Sequence, residues 1–151
     1  MTRAQVFAAA LLLAPAVARA EPAPPLYDNQ CSVCHQAGGV GVPGAYPRLA
    51  ARAGAIAAVP EGRKAMVSAA LYGVAGVLKV DGQTVVGVMP GFAQVKDAEI
   101  ATVLTYVSHL GGARPKPFTA AEVAKVRQGE ALTPNQVNAL LRQPAITQVA
   151  P

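Results

Sequence analysis

The sequence predicts an all-α domain with one small β-hairpin, and four observations lead to that prediction. Apolar residues recur at helical spacing over 97–110, and the pattern stops at a Gly-Gly pair. A second amphipathic stretch covers 60–73, beginning with Pro and ending with Gly. Two later stretches, 119–122 and 133–136, have the spacing of a capping box, which begins a helix. The hairpin is indicated by two short apolar runs on either side of Asp-Gly at 81–82, the commonest two-residue hairpin turn.

Residues 1–20 predict a cleavable signal peptide. Arg3 supplies the charged start, about fourteen apolar residues follow, and Ala18-Arg19-Ala20 ends in the small-residue pattern of a cleavage site. A transmembrane helix needs about twenty apolar residues, so a retained membrane anchor is the less favoured alternative. We therefore expect export to the periplasm, with no stable membrane insertion.

The remaining chain is only weakly charged. The full sequence has 13 Lys and Arg against 8 Asp and Glu, and loss of Arg3 and Arg19 with the signal leaves a net charge of +3. No basic stripe or run is present, so charge excludes a nucleic-acid-binding function. The length is that of one domain.

The stretch Cys31-Ser32-Val33-Cys34-His35 carries the strongest functional signal and fits the attachment of a c-type haem. Two thiols three positions apart on a helical turn can add to both vinyl groups of one porphyrin, and the next imidazole can ligate its iron. A redox dithiol, a zinc half-site and a disulfide are the alternatives. Zinc needs about four ligands, and no second Cys or His pair supplies them. No thioredoxin-like βαβ pattern surrounds the motif. We therefore predict one covalent haem c and its iron, held by Cys31, Cys34 and His35, in a domain over 21–112.

A second iron ligand is predicted at Met89. A thioether is a soft, neutral ligand for low-spin haem iron, and the following Pro90-Gly91 would hold the loop extended so that the sulfur can reach it. Methionine ordinarily fills apolar cores, and Met66, in the middle of a helical pattern, keeps that interpretation. His109, near a helix end, is expected at the surface rather than on the iron.

With these motifs, residues 26 to 112 resemble the class I cytochromes c. The resemblance implies a fold in which the helix of the haem motif packs on the 97–110 helix. It also implies that Pro47, twelve residues after His35, offers its carbonyl to the second ring N–H of the ligand histidine, which fixes the ring and raises its basicity. The family often has Gly before this Pro, and this chain has Tyr46. Arg48 and Arg52 are expected at the surface, with a haem propionate as the alternative partner.

Residues 113–151 form a predicted C-terminal extension with two short helices. Phe118 with Val123, and Leu132 with Val137, have the spacing of hydrophobic staples at the two capping boxes. Helices this short are not stable alone, so they should fold back on the core or dock on a partner, and a surface-covering appendage is the favoured interpretation.

The resemblance implies a mono-haem electron carrier with no catalytic residues, which accepts one electron from a periplasmic dehydrogenase and passes it to a terminal oxidase or another cytochrome. Iron with two axial ligands has no vacancy for a substrate, which favours a carrier over a catalyst. Three alternatives remain: an obligate electron-transfer subunit of a dehydrogenase, a haem catalyst or gas sensor in which Met89 does not ligate the iron, and a haem-free CxxC oxidoreductase.

Overall fold

The computed structural model describes residues 22–150, and the predicted signal peptide lies outside that range. Within it the chain forms a short π-helical turn, a 3₁₀ turn, seven α helices and one two-stranded antiparallel sheet. These are the π turn (Tyr27–Cys31), α1 (Ser32–His35), the 3₁₀ turn (Ala37–Gly39), α2 (Arg52–Ala57), α3 (Pro60–Tyr72), β1 (Val74–Val80), β2 (Gln83–Met89), α4 (Asp97–His109), α5 (Ala120–Arg127), α6 (Pro134–Leu141) and α7 (Pro144–Thr147).

The two helices predicted from periodicity, α3 and α4, are present with nearly the expected bounds. Helix α3 begins at Pro60, whose fixed φ suits the first helical position, and ends at Tyr72, just before Gly73, where φ is 79°. Helix α4 has Asp97 and Glu99 in its first turn, which suits the positive end of the helix dipole. Both helices bury their apolar faces in one core.

The N-terminal turn of the haem motif packs on α4 through a pair of tyrosines. Tyr27 is fully buried, and its ring meets that of Tyr106 edge-on, with centroids 5.0 Å apart. Its hydroxyl donates to the carbonyl of Gln36 at 2.7 Å, and burial is the main cause that raises the pKa of Tyr27 to about 12. The expected contact between the motif helix and the 97–110 helix is therefore present.

The β-hairpin is longer than the sequence indicates. Its turn is the predicted Asp81-Gly82, with φ of 52° and 75°, but the pairing continues out to Val74 and Met89. Met89 is thus the last residue of a strand and not part of the loop after one. Alternation along β2 puts Val85 and Met89 on one face of the sheet, and Val86 and Val88 on the opposite, exposed face.

The C-terminal extension folds back on the core. Its buried apolar side chains are Phe118, Val123, Val137, Ile146 and Ala150, and all of them except Val137 belong to the same core as α3 and α4. Both predicted capping boxes are formed, at Thr119 with Glu122 and at Thr133 with Gln136. Helix α7 was not predicted, since four residues are too few for a periodic pattern.

Helix α2 was also missed, because its six residues are mostly Ala and Gly and show no clear period. It packs closely on α4: a Cβ added at Gly54 would lie 2.6 Å from the carbonyl oxygen of Ser108. None of the helices in residues 22–150 combines the length and the apolar character that crossing a membrane requires.

Candidate haem-binding site

The two cysteines lie on consecutive helical turns at the start of the domain. Cys31 closes the π turn and Cys34 lies in α1, and both are half-buried and not joined in a disulfide. Burial raises the pKa of the Cys31 thiol to about 11, so this thiol is protonated at neutral pH. The reactive cysteine of a dithiol oxidoreductase needs the opposite, a lowered pKa. This observation speaks against the haem-free CxxC alternative.

His35 is buried, 7% exposed, and its ring is held by one hydrogen bond. Nδ1 lies 2.8 Å from the carbonyl oxygen of Pro47, the contact that the resemblance implied. A carbonyl can only accept, so Nδ1 carries the proton and Nε2 keeps its lone pair. Burial lowers the pKa of His35, and the bond to Pro47 opposes that change. The ring is therefore neutral at neutral pH, with Nε2 suited to bind a metal ion.

The loop that carries Pro47 is fixed by backbone contacts. The amide of Gly41 donates to the carbonyl of His35 at 2.9 Å, and Gly39 accepts from the amides of Leu49 and Ala50 at 2.8 and 2.9 Å. A Cβ at Gly41 would lie within 2.8 Å of the backbone of residues 46–48, and φ there is 67°. Only glycine fits that position without strain, so the glycine-rich composition is explained by close backbone packing.

Met89 is half-buried at the end of β2, on the hairpin face that includes the buried Val85. Its backbone lies against the end of α3, since a Cβ at Gly73 would be 2.4 Å from the carbonyl oxygen of Met89.

Met66 is buried in the core, as its helical position predicts. His109 is half-buried, with Nε2 3.2 Å from the carbonyl oxygen of Pro115 in the extension.

Arg48 has a partner that the sequence did not indicate. Its guanidinium binds both carboxylate oxygens of Asp81 in the hairpin turn, at 2.9 and 2.8 Å, and also contacts the carbonyl of Ala50. The bond to Arg48 lowers the pKa of Asp81. The two side chains are 39% and 44% exposed, so Arg48 lies at the surface as expected. Arg52 differs from Arg48 because it is half-buried, and this burial is the main cause that lowers its pKa.

These residues fit a covalently bound haem. Two thiols stand one helical turn apart, and a neutral imidazole with an available Nε2 follows directly, which is the donor set of a c-type haem site. Among the described residues, no group of three or more His, Cys, Asp or Glu side chains could hold another metal ion. The fold and the site together define a c-type haem protein.

Comparisons with known proteins agree with that class. The family model "Cytochrome c" matches residues 20–111. Cytochrome c-552 of Thermus thermophilus is 45% identical over 113 residues, which cover 72% of this chain and 86% of the relative. A second cytochrome c-552 from a named strain of the same species is also 45% identical over 113 residues, with 76% of that relative covered. The chain belongs to the cytochrome c family. It carries covalently bound haem c with its iron and is a mono-haem electron carrier.

Proposed function

We propose that this cytochrome is a periplasmic carrier that takes one electron from a dehydrogenase and delivers it to a terminal oxidase or another cytochrome, with His35 and Met89 as the axial iron ligands. The observation that carries the assignment of His35 is the Nδ1–Pro47 hydrogen bond, which leaves Nε2 of a buried, neutral imidazole for the iron. Haem c supplies the one-electron couple of its iron.

His35 and Pro47 set the properties of one axial position. Because the Pro47 carbonyl accepts the Nδ1 proton, the imidazole is fixed in one tautomer and becomes more basic. Met89 would supply a neutral sulfur at the other position, and a Met/His pair tends to raise the reduction potential. Two protein ligands leave no position for a substrate, which supports an electron carrier over a catalyst or gas sensor.

A substitution at each methionine tests this assignment. Met89→Ala should keep covalent haem but lose the Met-sulfur charge-transfer band, bind carbon monoxide readily and change its potential. Met66→Ala is the matched control, since it removes a buried core methionine and should lower stability by about 2–5 kcal/mol with no change at the iron. If the charge-transfer band disappears in Met66→Ala and persists in Met89→Ala, Met66 is the ligand and the assignment is wrong.

The attachment itself is tested by haem staining after denaturing electrophoresis. The wild-type protein should stain, and the double variant Cys31→Ala/Cys34→Ala should not. Covalent haem that survives in the double variant would have to be attached elsewhere.

An apolar rim around the haem motif, formed by Val33, Val40 and Val42, supports a docking mode with little electrostatic steering. These side chains are 69%, 59% and 37% exposed. Weak electron-transfer contacts bury less than about 1,200 Å², so a few apolar side chains can define one that releases quickly. The net charge of +3 expected after signal cleavage supplies only a weak long-range field.

Partner reduction rates should therefore change only a few-fold between low and physiological salt, and Val40→Asp should slow them more than Lys96→Glu does. Stopped-flow measurements over a salt series provide the check. A steep fall with salt, or a larger defect in Lys96→Glu, would mean that the partner recognises lysines instead of the rim.

The obligate-subunit alternative is weakened by the C-terminal extension. That alternative uses the C-terminal helices to anchor the protein to a catalytic chain, but Val123 of α5 and Val137 of α6 are fully buried within this chain. Co-purification from the native source tests it: the carrier should elute alone, and a fixed stoichiometry with a dehydrogenase chain would favour the subunit.

A further inference from the structure

The segment between Met89 and α4, here called the Met89 segment (residues 89–96), is fixed at two places by contacts from distant parts of the chain. At its start, the amide of Phe92 donates to the carbonyl of Ala70 in α3 at 2.9 Å. Gly91 lies so close to the end of α3 that a Cβ on it would be 2.6 Å from the carbonyl oxygen of Leu71. These contacts position the first half of the segment only.

In the second half, where Val95 packs against the core, one side chain from the C-terminal extension bonds the backbone. Arg127, at the end of α5, donates through Nη2 to the carbonyl of Val95 at 2.8 Å and through Nη1 to the carbonyl of Ala93. Its Nε bonds a carboxylate oxygen of Asp97 at 2.8 Å, at the start of α4. One planar guanidinium therefore joins three acceptors that span the whole second half of the segment, a geometry that the point charge of lysine does not match.

Helix α5 is itself fixed at both ends, and the contact at its C-terminal end is the one that supports Arg127. Arg63 of α3 binds the Glu122 carboxylate in the first turn of α5, at 2.9 and 3.1 Å. At the other end, the Tyr72 hydroxyl donates to the carbonyl of Val126 at 3.3 Å. The Arg127–Asp97 side chains are 31% and 28% exposed, which limits screening by solvent.

We propose that Arg127 is a positioning residue for the sixth iron ligand: it holds the Met89 segment closed and so keeps external ligands off the iron. This inference rests on the proposed ligation by Met89. An external ligand such as imidazole can bind only when Met89 has moved away, so its apparent dissociation constant equals the intrinsic value divided by the fraction of open molecules. Loosening the segment raises that fraction and tightens imidazole binding in proportion.

Arg63 provides a matched control. Like Arg127, it pairs with one carboxylate and donates to two backbone carbonyls, those of Lys116 at 2.8 Å and Pro117 at 3.1 Å. It also stacks on the ring of Phe118 at 3.9 Å. Its backbone partners lie in the extension and not in the Met89 segment. Arg63→Gln therefore removes a comparable set of contacts without touching residues 89–96.

The experiment is an imidazole titration of the haem-loaded, full-length ferric protein, followed by the Met-sulfur charge-transfer band. Arg127→Gln should lower the apparent dissociation constant about tenfold, the effect of losing roughly one charge-assisted hydrogen bond from the closed state. Arg63→Gln should change this constant less than about twofold, although denaturant unfolding should show that it is destabilised as much as Arg127→Gln. Arg127→Lys keeps the charge near Asp97 but cannot reach all three acceptors, so its apparent dissociation constant should lie between those of the wild type and Arg127→Gln. This variant provides the test if Arg127→Gln does not fold.

Two outcomes would overturn the inference alone: Arg127→Gln and Arg127→Lys bind imidazole as weakly as the wild type, or Arg63→Gln binds it as tightly as Arg127→Gln, which would mean that global stability controls access. A different result marks failure of the proposed ligation. If the wild type lacks the charge-transfer band and binds imidazole as readily as Met89→Ala does, Met89 is not the ligand, and both proposals fall.

Discussion

The two sides of the haem site are held in different ways. On the His35 side, residues 31–50, the backbone hydrogen bonds around His35 and the Pro47 loop join residues close in sequence, such as Gly41 to His35 and Leu49 to Gly39. The long-range pair of Arg48 with Asp81 lies at the exposed surface. On the Met89 side, residues 85–97, the segment is held by α3 and by Arg127, which lies 32 and 34 residues from its two carbonyl partners. The difference teaches that the position of His35, the proposed proximal ligand, depends on local chain conformation, whereas that of Met89, the proposed distal ligand, depends on the packing of the whole fold.

The contrast predicts which side of the site opens first. Local backbone contacts break only when the loop itself changes conformation, and close packing at Gly41 leaves it little alternative. Contacts that depend on distant elements are lost whenever those elements separate, so openings of lower free energy should release the Met89 side. Substitutions on the His35 side should therefore lower the stability of the whole protein strongly, whereas substitutions on the Met89 side should have smaller, graded effects.

The largest effect is expected at Gly41. Gly41→Ala should lower stability by about 2–4 kcal/mol, because the new Cβ meets backbone within 2.8 Å and φ is 67°. It should also raise the reduction potential, since moving Pro47 weakens the bond that makes His35 basic. Gly38→Ala is the control: φ is 68° but nothing lies within 4 Å, so only backbone strain of about 1–2 kcal/mol applies. Equal losses in the two variants would show that the loop is not closely packed around Gly41.

A smaller effect is expected where the extension meets the hairpin. Asn138 of α6 is 5% exposed and donates to the carbonyl of Val77 at 3.2 Å, on the free edge of β1. Asn138→Ala should cost about 1–3 kcal/mol, because a partly buried carbonyl loses its donor. Asn135→Ala, at an exposed position of the same helix, should cost much less. Chemical denaturation of the two variants side by side tests whether the extension stabilises the sheet that ends in Met89.

The Arg63–Glu122 contact should make part of the stability pH-dependent. Glu122 has its pKa lowered, first by the bond to Arg63, so its contribution is present above the usual carboxyl pKa and is lost as pH falls through the lowered value. Glu122→Gln should therefore cost about 0.5–1 kcal/mol at neutral pH, since the glutamate is partly exposed. Glutamine keeps the capping box, so other causes of loss are small. A deficit that persists unchanged under acid conditions would mean that the charge is not responsible.

The smallest effect is expected at the exposed pair between the Pro47 loop and the hairpin turn. Asp81→Asn removes the charge that binds Arg48 but keeps a residue suited to positive φ in this turn. Both partners are well exposed, so the loss should be at most about 0.5 kcal/mol and should shrink with added salt. Thermal unfolding at low and high salt measures it, and a loss above about 2 kcal/mol would show that the pair joins the two sides of the site more firmly than its exposure implies.

The same contrast explains how far the sequence predicted this structure. The His35 side could be predicted because its information is local: the CxxCH spacing, the glycines and Pro47 lie within about twenty residues. Helices α3 to α6 could be predicted from their periodicity and caps. The contacts made by Arg63, Arg127 and Asn138 could not be predicted from the sequence. Their partners lie 59, 32 and 61 residues away, and a single arginine or asparagine in a sequence does not indicate which distant group it will contact. Asp81 as the partner of Arg48 was missed for the same reason.

Native-state hydrogen exchange on the haem-loaded protein tests the difference between the two sides most directly, because each side offers one matched amide. The amide of Gly41 donates to His35, and that of Phe92 donates to Ala70, both at 2.9 Å. After correction for intrinsic rates, Phe92 should exchange at least about tenfold faster than Gly41, and Arg127→Gln should accelerate Phe92 alone. Equal protection of the two amides in the wild type, or faster exchange at Gly41, would contradict a Met89 side that opens before the His35 side.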